Sequence, residues 1–454
     1  MGGNAMNEKQ LHLNRRKFLQ LSLAGIAASQ LSCTRLKKSA PNILIFVADD
    51  TGWADVGFHN PEIQTPNIDQ LAQTGLELNQ FYAWPTCSPT RASLLTGRPA
   101  SRFGILAPIT GPGSLPTGTV TLAELLRQHG YHTAITGKWH LGLRPEVGPN
   151  QFGFEHSYGY FHGQIDPYTH HYKNGDPSWH RNGKFIEETG HATDLIAREA
   201  NFFLTQIRDK SRPFLLYVPF SVPHYPLQEP EEWLEKYPEI ENPSRRAFAA
   251  ATSHFDAAIG KILNTLEHEN LAENTLVIFM SDNGGQENWY PKTEYARSYS
   301  PNDQLGKNVP LRGWKGQVYE GGIRVPAIFR WPGKLAPGKC PAVTCATDIL
   351  PTVAALAKIS LPENLQIEGQ DIWPVISGKK VFGERRLYWR TPRQLAIRLG
   401  DWKLVHHGAT PETGTDELFD LKADPLEQFD LAAQQPEKRV ELKHALVQEW
   451  ARDN

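Results

Sequence analysis

The sequence predicts an α/β protein: a large, mainly parallel sheet sandwiched by helices, followed by a small C-terminal antiparallel α+β domain. Three observations predict it. Residues 42–47 (NILIFV), 213–218 (PFLLYV) and 275–280 (TLVIFM) are continuous apolar runs, the pattern of strands buried on both faces. Helical periodicity separates these runs, so the strands run parallel and connect through helices. Near residue 375 the texture changes to short alternating strands. The chain therefore divides into a leader over 1–33, a large domain over 40–375 and a small domain over 376–454.

Each element follows from local chemistry. The leader holds Asn14-Arg15-Arg16-Lys17-Phe18-Leu19-Gln20 ahead of a short apolar run, 21–31. Paired arginines before such a run resemble a twin-arginine export signal, and the run is too short to span a bilayer. Leu31-Ser32-Cys33 also resembles the end of a lipoprotein signal, with Gln30 where that pattern takes an aliphatic residue. The expectation is a periplasmic or secreted bacterial protein, exported by the twin-arginine machinery, with a lipid anchor at Cys33 left open. After the strand at 42–47, Thr65, Pro66 and Gly75 mark the cap, first turn and stop of a helix. A short helix after Cys87 ends at Gly97. Thr121 and Glu124 form a capping box for a helix ending at Gly130, and a strand follows over 132–136. Residues 191–210 and 246–268 carry apolar residues at helical spacing. In the small domain, strands over 387–390, 394–399 and 402–405 turn at Gly400-Asp401, and a helix over 437–450 packs on them.

Composition narrows the function. The 454 residues are 40% hydrophobic and 21% charged, an ordinary globular balance. The formal charge of −2 excludes the strongly basic character of a nucleic-acid binder. An anionic substrate would need a local cationic pocket. Of four cysteines, Cys340 and Cys345 could bridge a short loop or stay reduced, and no spacing matches a structural zinc site.

Chemistry collects where apolar runs end. The first run leads to Asp49-Asp50, the second to Gly137-Lys138-Trp139-His140, the third to His224, the fourth to Asp282-Asn283. Carboxyl ends of parallel strands share one edge, so these distant segments converge. Asp49, Asp50, Asp282 and Asn283 are hard oxygen ligands suited to calcium or magnesium. Arg91, Lys138 and Lys315 are candidates to hold anionic oxygens, and His140 and His224 to move protons. The loop between 154 and 181 is rich in sugar-contacting types. Tyr168, His170, His171, Trp179 and Arg181 are its substrate-binding candidates. Trp389, Arg390, Arg393 and His406 could add to the rim.

The stretch CSPTRASLLTG, Cys87 to Gly97, resembles the signature of the type I, formylglycine-dependent sulfatases of the alkaline phosphatase-like superfamily. So do GYHTAITGKWH, residues 130–140, and Lys315 ahead of Glu320-Gly321-Gly322-Ile323-Arg324-Val325-Pro326. Thr136 departs from the small or aliphatic residue usual there. The texture is similar to carbohydrate, N-acetylgalactosamine-6-sulfatase-like and arylsulfatase members. The resemblance implies that a formylglycine-generating enzyme converts Cys87 to Cα-formylglycine. It implies one calcium held by Asp49, Asp50, residue 87, Asp282 and Asn283. Arg91 and Lys138 would steady the aldehyde hydrate, His224 and Lys315 hold the sulfate, and His140 take a proton. A sulfated polysaccharide or oligosaccharide is the implied substrate. Alternatives are a broad arylsulfatase, a phosphonate or phosphate ester hydrolase of the same superfamily, and a glycan-binding protein on an inactive scaffold.

Overall fold

Strand β1 (Asn42–Ala48) has all seven residues buried, as a continuous apolar run requires. The computed structural model describes residues 40–289, 295 and 302–453; the leader and Cys33 lie outside the described residues. Further strands are β2 (Leu76–Tyr82), β3 (His132–Lys138), β4 (His156–Tyr160), β5 (Trp179–Arg181), β6 (Lys184–Phe185), β7 (Phe214–Pro219), β8 (Thr275–Ser281), β9 (Ala327–Arg330) and β10 (Gly338–Cys345). They form one sheet in the order β10-β2-β9-β8-β1-β7-β3-β4-β5-β6. Its centre, β8-β1-β7-β3-β4, is parallel, with Ile45 opposite Tyr217 on one side and Ile278 on the other. β9 and the β5–β6 ribbon run antiparallel.

The second sheet contains β11 (Arg386–Arg390), β12 (Leu395–Leu399), β13 (Trp402–His407) and β14 (Thr415–Asp420), all antiparallel. β14 is an addition to the three strands expected there. Leu442, Ala445 and Leu446 of the helix Pro436–Ala451 close a core with Leu395, Ile397, Leu404 and Leu418. The two sheets meet through polar contacts. The Trp389 indole N–H donates to the Ala83 carbonyl at 2.9 Å, and Arg398 reaches Gln80 at 2.8 Å and the Tyr82 hydroxyl. Pro41–Asn454 is one compact unit, so the boundary at 376 is a change of sheet within it. Among the described residues no helix is long and apolar enough to cross a membrane.

Helix ends show where local rules yield to tertiary contacts. Thr121 caps Leu122–Gln128, accepting from the Glu124 N–H at 3.1 Å, while the Glu124 carboxylate turns to Arg127 and Gln128. Thr65 precedes the helix Pro66–Thr74, but its hydroxyl donates to Asp69 and makes no capping bond. Asp256, from the long helix Pro243–His268, accepts from the N–H groups of Asn67 and Ile68 and does that work. A tertiary carboxylate satisfies the orphan donors that the expected cap was to serve.

The same long helix carries His254 into an ion triad with buried Glu229 and half-exposed Asp194. His254 Nδ1 lies 2.7 Å from Glu229 and its Nε2 3.3 Å from Asp194. Burial would depress the imidazole, but hydrogen bonds to Asp194 and Glu229 outweigh it and raise His254 to about 9. A histidine raised in the folded state contributes stability that is complete below its unfolded pKa. That stability is lost as pH rises through 9. Some 2.5 pH units correspond to about 3 kcal/mol. The unfolding free energies of the native chain and of His254→Gln should therefore differ most near pH 6 and converge by pH 10. A gap constant across that range in denaturant titrations would contradict the assignment.

Candidate active site

The parallel strands deliver their C-terminal residues to one edge, as expected. β1 ends at Asp49 and Asp50, β3 at Lys138, β8 at Asp282 and Asn283, and the segment after β7 carries His224. Two close approaches need glycine. At Gly137 (φ 132°) a Cβ would stand 1.9 Å from the Pro219 carbonyl oxygen, and at Gly284 1.8 Å from that of Gly321. The second contact lays the Glu320–Ile323 turn on the Asp282 loop.

Cys87 opens the helix Cys87–Thr96, all ten of whose residues are buried, and Gly97 (φ 68°) ends it in the left-handed conformation. Arg91 lies one turn further on. Its Nη2 donates to Asp282 at 2.7 Å and stands 3.8 Å from Asp49, and its Nη1 donates to the Lys138 carbonyl at 3.2 Å. Lys138 Nζ pairs with Asp49 at 2.6 Å. Lys315 Nζ pairs with Asp50 at 2.6 Å, and His224 Nε2 stands 3.7 Å from the same oxygen. Asn283 donates its amide to the other Asp50 oxygen at 2.8 Å. Asp50 and His140 hold left-handed backbones, φ 71° and 56°, which cost non-glycine residues of order 1–3 kcal/mol each. Such strain is typical of functional sites.

All ten catalytic and metal-site candidates except His140 thus fall in one ion-paired cluster or, like Cys87, beside it. Donor atoms of Asp49, Cys87 and Asp282 lie within 4.8 Å of one another, as do those of Asp49, Asp50 and His224. His140 joins through its neighbours: Ser88 Oγ donates to the His140 carbonyl at 2.9 Å and accepts from the Ile109 N–H at 3.0 Å.

The electrostatics follow from burial. Burial, reinforced by Asp282 and opposed by Lys138, pushes Asp49 up to about 8. Burial would also raise Asp50, but Lys315 and His224 hold it at about 2. The same pairing with Asp50 overcomes burial at Lys315 and keeps its ammonium charged. Burial, with Lys138 and Arg91 adding, drives His140 well down; burial and Lys315 take His224 to about 3. Both imidazoles are neutral. A carbonyl only accepts, so contacts to the oxygens of Ile109 and Tyr225 put the protons on His140 Nε2 and His224 Nδ1. His140 Nδ1 keeps a buried lone pair without a hydrogen-bond partner.

Arg91, Lys138 and Lys315 each pair with an aspartate of the cluster, and of these aspartates Asp49 keeps its proton at neutral pH. Asp49 Oδ1 and Asn283 Oδ1 are nevertheless buried without hydrogen bonds. Unpartnered hard oxygens converging among carboxylates fit a calcium-like cation, which would leave the cluster with a net positive charge facing an anion. Its arrival would displace the Asp49 proton. Calcium affinity should rise with pH by roughly tenfold per unit up to about 8, one proton leaving per cation. Calorimetry showing equal affinity at pH 6 and 8 would contradict this.

Above the cluster opens a cleft of about 200 Å³ that reaches Cys87, His140, His224 and Lys315. Its walls differ from expectation. Tyr168, His170, His171, Trp179 and Arg181 do not line it. His170 stacks on Trp179 with centroids 4.6 Å apart and bonds to the Gly190 carbonyl. Trp179 is buried against Tyr158, Arg181 pairs with Glu199 at 2.8 Å, Tyr168 packs its ring on His191, and His171 faces Thr169 and Glu187. They build the loop's own core. The loop instead offers His162, Gln164, Tyr172 and Lys173, with Trp289 from the segment after β8. His162 and Tyr172 stack at 4.4 Å. Ile109 and Trp289 were not anticipated. Ile109 acts through its backbone, which leaves no trace in residue type; an aromatic six residues beyond Asp282-Asn283 was a signal for Trp289. Of the rim candidates, Trp389 is buried, Arg390 pairs with Asp453, His406 with Asp416, and none of them nor Arg393 reaches the cleft. Cys340 and Cys345 are free thiols. Thr136 is fully buried and its hydroxyl has no partner, a local cost of the departure noted at that position.

Comparison with known proteins agrees with this geometry. The Sulfatase family profile matches residues 41–359, and the profile described as N-sulphoglucosamine sulphohydrolase, C-terminal, matches residues 313–452. The chain belongs to the sulfatase family and is a sulfuric ester hydrolase with the alkaline phosphatase-like fold. It is 32% identical to Arylsulfatase J of Mus musculus over 88% of this chain and 74% of that protein. To the N-acetylgalactosamine-6-sulfatase of Homo sapiens it is 33% identical, covering 80% of this chain and 71% of the relative. The solved structure of Ps i-CgsB in complex with k-i-k-neocarrahexaose superimposes with a TM-score of 0.82. It shares 31% identity over 92% of this chain and 94% of that one.

Proposed function

We propose that this protein is an exported sulfatase that removes sulfate from sulfated oligosaccharides or polysaccharides, using formylglycine at position 87 and one calcium ion. The observation that carries the reading is the meeting of Cys87, the oxygen set Asp49, Asp50, Asp282 and Asn283, and the cations Arg91, Lys138 and Lys315 at the floor of one cleft. The aromatic wall of His162, Tyr172 and Trp289 supports a sugar as the leaving group. So does the likeness to a protein crystallised with k-i-k-neocarrahexaose. Export rests on the Arg15-Arg16 leader, and anchoring at Cys33 belongs to the same reading.

When present, the hydrated aldehyde and the cation would supply an activated hydroxyl and a Lewis acid for the sulfate oxygens. The chain's own residues do the rest. Arg91 and Lys138 place positive charge beside position 87. Lys315, kept protonated by Asp50, holds a sulfate oxygen and presents a proton to the departing sugar oxygen. His224 is the neutral member of that pair: its proton sits on Nδ1 and is committed to the Tyr225 carbonyl, so its bare Nε2 can only accept and the charge that meets the sulfate comes from Lys315. His140, with an unoccupied lone pair at Nδ1, takes up a proton. General acid–base help of this kind contributes roughly 10²–10⁴-fold.

Released sulfate measured over a panel of sulfated oligosaccharides and one simple aryl sulfate tests the reading, with mass spectrometry of the Cys87 peptide alongside. Activity on glycans, lost on chelation and restored by calcium, is expected. Turnover of the aryl sulfate alone would remove the carbohydrate assignment. An unmodified thiol in fully active protein would remove the aldehyde.

A further inference from the structure

The loop that presents Lys315 is gripped at both ends by one distant residue. Three positions before Lys315, Arg312 Nη1 donates to the Glu427 carbonyl oxygen at 2.8 Å. Five positions after it, the Glu320 N–H donates to the Glu427 carboxylate at 2.7 Å. The other carboxylate oxygen of Glu427 pairs with Lys403 Nζ at 2.8 Å, and Lys403 reaches Glu320 at 2.9 Å. Lys403 and Glu427 are fully buried and Glu320 is 1% exposed. Glu427 holds a left-handed backbone, φ 55°, without being glycine, the strain expected of a residue fixed by its contacts.

Position matters as much as contact. Lys403 comes from β13 and Glu427 from the segment after β14, so the second sheet supplies the grip. Between the gripped ends the loop also bonds toward the nucleophile: Gly316 N–H donates to the Pro85 carbonyl at 2.7 Å, two residues before Cys87. The loop is thus stretched between the C-terminal sheet and the segment leading into the helix Cys87–Thr96.

We propose that Glu427, braced by Lys403, is the positioning residue for Lys315: it fixes the distance from Lys315 Nζ to the sulfate, and through it the C-terminal sheet sets the strength of sulfate binding. The inference rests on the role given to Lys315 above. Glu427 touches neither substrate nor any candidate metal ligand, so its effect passes through Lys315. Removing the carboxylate frees the Glu320 end of the loop and leaves Lys403 with Glu320 alone. Glutamine keeps an oxygen able to accept from the Glu320 N–H, but turns its amide NH2, a donor, toward the Lys403 ammonium in place of the second carboxylate oxygen.

The test uses full-length, calcium-loaded enzyme and inorganic sulfate as the probe. Inhibition by sulfate and the kcat and KM for an aryl sulfate are measured in Glu427→Gln, Glu427→Ala and Lys315→Met, with thermal unfolding as the fold control. Sulfate inhibition should weaken on the order of tenfold in Glu427→Ala and less in Glu427→Gln, with the melting temperature lowered in both because buried Lys403 keeps one carboxylate, Glu320, of its two. Adding Glu427→Ala to Lys315→Met should weaken sulfate no further, because coupled residues are not additive. Native sulfate inhibition in a folded Glu427→Ala, or in Glu427→Gln if the alanine variant does not fold, would overturn the proposal. So would a further loss in the double variant. Native sulfate inhibition in Lys315→Met would instead remove the role of Lys315 itself.

Discussion

Replacing Cys87 with alanine should lower turnover by on the order of 10⁴-fold or more, the scale seen when an enzyme loses its covalent nucleophile. The fold should survive. Cys87 is 2% exposed at the first position of its helix, and the change deletes a single buried sulfur. That truncation costs about 1 kcal/mol, well below the 2–5 kcal/mol of a large-to-alanine core change. None of the ion pairs that hold the cluster together involves the thiol. Calcium binding should therefore persist, weakened by one ligand. Sulfate release, circular dichroism and calcium calorimetry on one preparation make the comparison. A Cys87→Ala protein that still turns over at a tenth of the native rate would show that the reaction needs no covalent group at this position.

Arg91→Met is expected to act on stability as well as rate. The guanidinium makes two contacts to Asp282, at 2.7 and 3.2 Å, and a third to the Lys138 carbonyl, all buried. Methionine fills much of the volume but leaves Asp282 without its cation. Breaking one side of a buried pair costs about 3–5 kcal/mol. At about 1 °C per kcal/mol for a cooperative unit of this length, the melting temperature should fall by roughly 3–6 °C. Calcium offers its charge to the same carboxylates. At about 100 times Kd it stabilises by about 2.7 kcal/mol, so it should recover a good part of the loss. Turnover should fall by 10²-fold or more even in the calcium-restored protein, since a fixed positive group beside the nucleophile is gone. Differential scanning calorimetry with and without calcium reads the first effect. An unchanged melting temperature would mean that Asp282 is neutral without Arg91.

The parts of the site that were legible in the sequence are those fixed by strand direction. Asp49, Lys138, His224 and Asp282 each follow an apolar run, and parallel pairing leaves such residues nowhere to go except one edge. The fold class was legible for the same reason, because three continuous apolar runs joined by helices admit few arrangements. The cleft walls were not. Tyr168, His170, Trp179 and Arg181 have the composition of a sugar site, yet stacking within the loop and contacts to His191 and Glu199 beyond it consume them away from the cleft. Composition does not say which face of a loop looks inward. The Asp256 cap was hidden likewise, since the N–H donors it serves, Asn67 and Ile68, lie 189 and 188 residues away in the chain. β2 and β10 went unread because polar positions such as Glu77, Asn79 and Lys339 interrupt their apolar pattern, and β9 because it is only four residues long. β14 is similarly obscured, with Asp416 and Glu417 ahead of Leu418 and Phe419.

The helix Cys87–Thr96 carries one more consequence, concerning the timing of maturation. The helix is buried along its whole length, with position 87 at the floor of a narrow cleft, so an enzyme that must take hold of this segment to rewrite the side chain cannot do so once the sheet has closed. Under the proposed chemistry the modification belongs to the nascent chain. A molecule that folds with its thiol intact is then locked as a permanent bystander: sound in shape, able to take up calcium, and beyond later repair.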